Sequence, residues 1–330
     1  MKRRQFLTLV TGMAVFQPVL ALAQPSERVR SVGVLIGIAE NDPDAPRRVI
    51  ALRQGLQELG WIEGQNIRIV YRWTAEPDLI GVFAKELVAQ QPDVLIASSS
   101  LVVAALLQET RTAPVVFVTA ADPVGDGFVA SLARPGGNAT GFTNNLASMG
   151  GKWLELLKEI APGVTRVAVM FNRRTAPGSG TYFLAPIEAA ANLVAVRSLA
   201  SPVSDPAQIE SAFASLATEP GGGLIVMPDN FTTIHRGLII AKASQYQVPG
   251  IYPSRYFAAE GGLMSYGADL IDSYQRTASY IDRILKGAQP AELPVQSPAK
   301  VELIINLKTA RKLGLPENRL LLARADEVIE

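Results

Sequence analysis

From Ser31 onward the chain alternates short apolar runs with segments of helical period, and this alternation leaves few folds open. Residues 31–36 (SVGVLI), 93–97 and 115–118 read as buried strands. Residues 67–73 read as a strand with one wetter face, because Ile67, Ile69, Tyr71 and Trp73 alternate with Arg68 and Arg72. Helix-period stretches lie between them at 47–59, 77–90 and 101–110. In the first of these Val49, Leu52, Leu56 and Leu59 share a face, and Gly60 stops the helix. Strands always separated by a helix run parallel, since a crossover carries the chain back to the same end.

The chain turns at Arg134-Pro135-Gly136-Gly137-Asn138, and the period then restarts. An amphipathic helix is expected at 150–160, with strands at 167–171, 193–199, 224–227, 250–252 and 263–266, and helices at 181–191, 205–218 and 234–246. A long helix at 269–286, a Pro-rich stretch, a strand at 301–305 and a short helix near 307–313 close the chain. The expected class is α/β, with two doubly wound parallel-sheet lobes of roughly 120 residues each, joined by a hinge. Ligands of open parallel sheets bind outside the carboxyl ends of the strands, so one cleft between the lobes is the expected site.

The first 23 residues read as an export signal. Lys2, Arg3 and Arg4 precede an uncharged apolar stretch, and Ala21-Leu22-Ala23 is a small-x-small cleavage site, so cleavage after Ala23 is expected. The apolar run is short and broken by Thr8, Thr11, Gly12, Gln17 and Pro18, which argues against a membrane span. Arg3-Arg4-Gln5-Phe6-Leu7 resembles a twin-arginine export signal. Three positive charges leave with the segment, turning the formal +1 into −2. The mature chain is therefore expected free in a periplasm, with no lipid anchor, because there is no Cys to carry one.

Composition removes whole classes of chemistry. Without Cys there are no disulfides, thiolate nucleophiles or Cys-containing zinc sites, and a single histidine, His235, gives no multi-histidine metal cluster. Near-neutral charge supplies no electrostatic footprint for nucleic acid. No cofactor is expected. Gly125-Asp126-Gly127-Phe128-Val129-Ala130 fits a loose dinucleotide pattern, but Asp126 would face the pyrophosphate and no acid follows about 20 residues on to hold a ribose. Gly150-Gly151-Lys152 lacks the remaining positions of a phosphate loop and reads as a helix start.

The candidate ligand residues all sit at strand ends. Ser98, Ser99 and Ser100 follow the strand 93–97 and open a helix, which makes them either a seat for a carboxylate or simply helix caps. Thr119 occupies the equivalent place one unit along. In the second lobe Asn172, Asp229, Asn230, Tyr252 and Tyr266 stand at successive strand mouths, where they are placed to receive an ammonium group and a flat apolar body. A nucleophilic serine is not expected, as no Gly-x-Ser-x-Gly elbow is present. His235 reads as a solvated surface residue, and Arg47-Arg48 and Arg173-Arg174 as solvated faces.

Several long motifs carry a family resemblance. They are residues 130–141 (ASLARPGGNATG), 261–269 (GGLMSYGAD), 283–287 (RILKG), 305–310 (INLKTA) and 322–327 (LARADE). Together they closely resemble the ABC-transporter substrate-binding proteins of the tryptophan/tyrosine-uptake type. The resemblance implies the type I periplasmic binding protein fold, in which the chain crosses between lobes three times. It implies a first lobe of 27–142 plus 268–294 and a second of 143–267 plus 295–330. It further implies a small-molecule ligand, an ABC permease of the inner membrane as partner, and a monomer.

Ser99-Ser100 stands where relatives often show Gly-Thr, which keeps a hydroxyl in the pocket. The expected function is a receptor that closes on a carboxylate-bearing solute, an amino acid and an aromatic one among the candidates. Ser99, Ser100 and nearby N–H groups are expected to hold the carboxylate, with help from Thr119. Asp229 is expected to pair with the ammonium, and Tyr252 or Tyr266 to stack on the side chain. An exported enzyme using the same cleft, or a sensor subunit presenting its loaded form, are the competing readings.

Overall fold

The computed structural model of the protein describes residues 28–144 and 146–330; the proposed leader, 1–23, lies outside them. The first sheet is built from β1 (Arg30–Ile36), β2 (Ile67–Trp73), β3 (Val94–Ser98), β4 (Val115–Ala120) and β5 (Ala139–Thr143), interleaved with α1 (Ala45–Glu58), α2 (Pro77–Ala89) and α3 (Ser100–Glu109). The second region starts with α4 (Met149–Ile160), β6 (Arg166–Phe171), α5 (Thr181–Leu193), β7 (Arg197–Pro202), α6 (Pro206–Leu216) and β8 (Gly222–Val226). It continues through α7 (Asn230–Ile234), α8 (Arg236–Gln245), β9 (Gly250–Tyr252), α9 (Arg255–Ala259) and β10 (Met264–Ala268). The chain closes with α10 (Leu270–Leu285), β11 (Val301–Asn306), α11 (Leu307–Lys312), α12 (Arg319–Arg324) and β12 (Glu327–Ile329).

Strand order is β2-β1-β3-β4-β5 in the first sheet and β12-β11-β10-β9-β8-β6-β7 in the second. The run β7-β6-β8-β9-β10 repeats the pattern of the first sheet, so each lobe reverses its winding once, between β1 and β3 and between β6 and β8. Both faces of each sheet are covered. Val32, Val34 and Ile36 point to a core shared with α1 and α10, while Leu35 points to one shared with α2 and α3. Val167, Val169 and Phe171 likewise face α4 and α5, and Ala168 and Met170 face α6 and α8. Two buried faces explain why these strands read as unbroken apolar runs.

The structure departs from the sequence reading in three places. β5 follows the expected turn where no strand was expected; its Gly141 backs onto the Phe117 carbonyl, 2.0 Å from where a Cβ would stand, so only glycine fits there. β7 starts at Arg197 rather than 193 because α5 runs on to Leu193. β11 pairs antiparallel with β10, so the second sheet is parallel except for this strand and its neighbour β12.

The chain passes between the sheets after β5, after β10 and before β11. α10 buries Tyr274, Ala278 and Ile281 in the first-sheet core, and Val295 joins that side as well. Gln296 pairs with Phe142 beside β5, so the last passage falls within 297–300. There Asp269 N donates to the Lys300 carbonyl at 3.1 Å and Lys300 Nζ reaches the Asp269 carboxylate at 3.2 Å, tying two of the passages together. Among the described residues no helix is long and apolar enough to cross a membrane.

Candidate functional site

The carboxyl ends of both sheets border one cleft, and the winding reversals put β1 and β3 opposite β6 and β8. The cleft encloses a cavity of about 80 Å³. Its first-lobe wall carries Gly37, Ser98, Ser99, Ser100 and Thr119, its second-lobe wall Thr175, Asp229, Asn230, Thr233, Ser254 and Tyr256, and Asn144 lines it from the passage after β5. Hydroxyl and amide groups share the lining with Ile38, Leu101, Ala121, Leu270 and three prolines.

Ser98 ends β3 and its hydroxyl accepts the Gly37 N–H at 3.0 Å, which joins the two switch-point strands. Ser99 is the N-cap of α3, its hydroxyl accepting the Val102 N–H, and holds φ at 97°, a left-handed value costly for any residue but glycine. The strain turns its hydroxyl over Gly37, where the Asn230 amide arrives from the other lobe. A Cβ on Gly37 would stand 3.0 Å from Asn230 Oδ1 and 3.3 Å from Ser99 Oγ. Ser99→Gly should raise stability by about 1 kcal/mol, since the strain goes and glycine caps nearly as well. Chemical denaturation reads the gain, and solute affinity falls in the same protein because a cleft hydroxyl is lost.

Asp229 is the N-cap of α7 and is buried. It accepts from Thr232 N at 2.7 Å, Asn172 N at 2.9 Å and the Thr175 hydroxyl at 3.1 Å. Burial pushes its carboxyl up to about 6, with the hydrogen bonds from Thr232, Asn172 and Thr175 pulling back. Among the described residues Asn230, next to it, keeps Nδ2 buried with no partner, and Asn144 Oδ1, past the end of β5, is likewise without one. Unpaired buried polar atoms are costly unless something else satisfies them.

Six of the nine sequence-predicted residues thus meet at the cavity: Ser98, Ser99, Ser100, Thr119, Asp229 and Asn230. The other three do not. Tyr252 is a core residue: 1% exposed, it stacks on Phe257 with centroids 5.0 Å apart, because its place in the short strand β9 turns it beneath the sheet. Tyr266 packs its ring against the second-lobe core, and its carbonyl accepts Trp153 Nε1 at 2.7 Å. Asn172 works behind the wall, donating to the Val203 carbonyl and holding Asp229 through its backbone.

Arg48 is the main residue that sequence reading missed. It is buried, not solvated, and lines the cavity, with Nε donating to Asp44 Oδ2 at 2.9 Å. Its guanidinium stands 5.9 Å from the ring centroids of both Tyr256 and Tyr274. The signal was present, because Arg48, Leu52 and Leu56 fall on one helical stripe. Arg47 does remain exposed.

A bridge crosses the cleft beside this cation. Arg236, at the start of α8, reaches Asp42 of the first lobe at 2.7 Å through Nη1 and Glu260 at 2.8 Å through Nε. Asp42 Oδ1 in turn accepts the Asp44 N–H at 2.9 Å, and the Tyr256 ring lies 5.2 Å from the Arg236 guanidinium. Among the described residues no cluster of His, Cys, Asp and Glu suits a metal ion.

A family model described as "ABC transporter substrate binding protein" matches residues 32–329. The chain is 24% identical over 284 residues to a tyrosine-binding protein of Clostridioides difficile, a match covering 85% of this chain and 81% of the other. The structure of a conserved domain protein from Vibrio cholerae superposes with a TM-score of 0.83 at 27% identity, covering 91% of this chain and all of that one (100%). An ABC domain from Streptococcus pneumoniae in complex with L-Trp gives 0.82 at 24% identity, covering 91% of this chain and 99% of its own.

Proposed function

The chain belongs to the ABC transporter substrate-binding protein family, and on that premise we propose that it is a periplasmic receptor for an amino acid, aromatic ones foremost. It closes its two lobes on the solute and hands it unchanged to an ABC permease of the inner membrane. The observation that carries this reading is the cleft itself. A cavity lies at the winding reversals of both sheets, and among its lining the amide atoms Asn230 Nδ2 and Asn144 Oδ1 have no partner among the described residues. A zwitterion with one donor pole and one acceptor pole satisfies both. The relative named for tyrosine and the neighbour holding L-Trp point to the same solute class.

Residues 1–23 then serve as the export leader, cleaved after Ala23, with Arg3-Arg4 selecting the twin-arginine route. The mature chain works as a monomer without a lipid anchor. Its lobes comprise 27–142 plus 268–294, and 143–267 plus 295–330, with the last boundary moved a residue or two later to keep Val295 with the first core. Ser98, Ser99, Ser100, Thr119, Asp229 and Asn230 form the polar lining that meets the solute.

Thermal-shift and calorimetric titration with the free amino acids is the test. At least one should bind in simple one-site fashion, and Asn230→Ala should weaken it about tenfold by removing the unpaired donor. If no amino acid stabilises the protein, the reading falls. If the bound compound is recovered chemically changed, an exported enzyme replaces the receptor.

A further inference from the structure

We propose that Arg48, and not the N-terminus of α3, receives the carboxylate of the bound solute. The assignment presupposes the amino-acid receptor above and names which end of the molecule goes where.

The N-terminus of α3 is already served by the protein. Ser99 caps it through the Val102 N–H, and the carboxyl of Asp126, half-buried in the loop after β4, lies toward Ser100 with its Oδ2 unpaired among the described residues. A second carboxylate there would meet the first at close range, with little water to screen the repulsion.

Arg48 presents the opposite situation. Its guanidinium carries five N–H donors, and the hydrogen bond it makes to protein among the described residues engages Nε alone, through Asp44. The four Nη hydrogens remain in a buried side chain that lines the cavity. Two further polar groups without partners among the described residues can donate as well. Among the described residues Asn230 Nδ2 is buried without an acceptor, and the Tyr274 hydroxyl lies toward Ser98 and Arg48 without completing a hydrogen bond. A planar fork with free donors, with the Tyr274 phenol beside it, matches a carboxylate in two-toothed geometry.

Placement supports the same end. Asp44 fixes the guanidinium through Nε, the rings of Tyr256 and Tyr274 flank it at 5.9 Å, and neither ring offers a carboxylate to neutralise the Nη edge. Asp44 is itself positioned by Asp42, the residue that bridges to Arg236 across the cleft. An anion on Arg48 therefore sits next to the contact that forms when the lobes meet.

The test compares L-tyrosine and L-tryptophan, and any other amino acid that binds, with the corresponding amides by calorimetry. The intact mature protein, Arg48→Gln and Arg48→Lys are titrated in parallel. The unmodified protein should prefer the acid to the amide by about 100-fold, the size expected of a buried charge-assisted pair. Arg48→Gln should lose about 100-fold for the acid and less than threefold for the amide, and Arg48→Lys should lose about tenfold for the acid. Equal losses for acid and amide, or unchanged acid binding, overturn the assignment. If Arg48→Gln does not fold, as near-UV circular dichroism will tell, an acid-to-amide ratio left unchanged in Arg48→Lys overturns it instead. If the unmodified protein binds acid and amide alike, Arg48 is not the seat although the receptor stands, whereas absence of all amino-acid binding removes the receptor itself.

Discussion

Asp42→Asn should weaken solute binding about 30-fold, almost wholly through faster release. Asp42 belongs to the first lobe and Arg236 to the second, and their 2.7 Å contact joins side chains that are each about nine-tenths buried. Such a contact exists only while the lobes are together. Its loss destabilises the closed form by about 2 kcal/mol and leaves the open form almost untouched. Encounter with the solute occurs in the open form, so the association rate should change less than threefold. Asparagine keeps the Oδ1 that accepts the Asp44 N–H, so the start of α1 and the setting of Arg48 survive the change. Arg236→Gln should do more harm, because it strands both Asp42 and Glu260. Stopped-flow release rates and the radius of gyration by solution scattering read the two effects. A fall in association rate at constant release would refute the latch, as would a double mutant whose loss equals the sum of the single losses.

Why some of this could be read in the sequence and some could not follows from what each signal encodes. Strands such as β1, β3 and β6 are buried on both faces, so their apolar runs survive any change of context. β5 has no such signature: Ala139–Thr143 holds two threonines and a glycine, and becomes a strand because Gly141 lets it lie against Phe117. The direction of β11 is equally silent in its residues. It is set by where the chain re-enters the second lobe, at the Asp269–Lys300 contact. The strand-end rule located Ser98 to Ser100, Thr119, Asp229 and Asn230 because it depends only on topology. It failed for Tyr252 and Tyr266, since a strand of three to five residues fixes the end of the sheet but not the face a ring takes. Arg48 was hidden by the habit of placing charge in water. Its Asp44 partner, four residues earlier, and two tyrosine rings make burial tolerable.

Asp229 should make the unliganded protein gain stability on mild acidification, the reverse of an ordinary salt-bridged carboxylate. Burial raises its carboxyl from 3.8 to about 6, so between those values the folded form holds a proton that the unfolded chain has released. Stability therefore rises as pH falls from about 7 to 4, by about 3 kcal/mol for this group taken alone, and is lost again as pH rises through 6. Asp229→Asn removes that slope while costing the Asn172 N–H its acceptor. Urea titrations of both proteins at pH 7 and pH 5 isolate the contribution as the difference between their slopes. A bound ammonium near this carboxylate would favour its charged form, so the stabilisation by solute should shrink below pH 6. The same shrinkage should be absent in Asp229→Asn. If solute affinity is flat from pH 7 to 5 in the unmodified protein, the ammonium does not lie against Asp229 and must seek another acceptor, such as Asn144 Oδ1, which has no partner among the described residues.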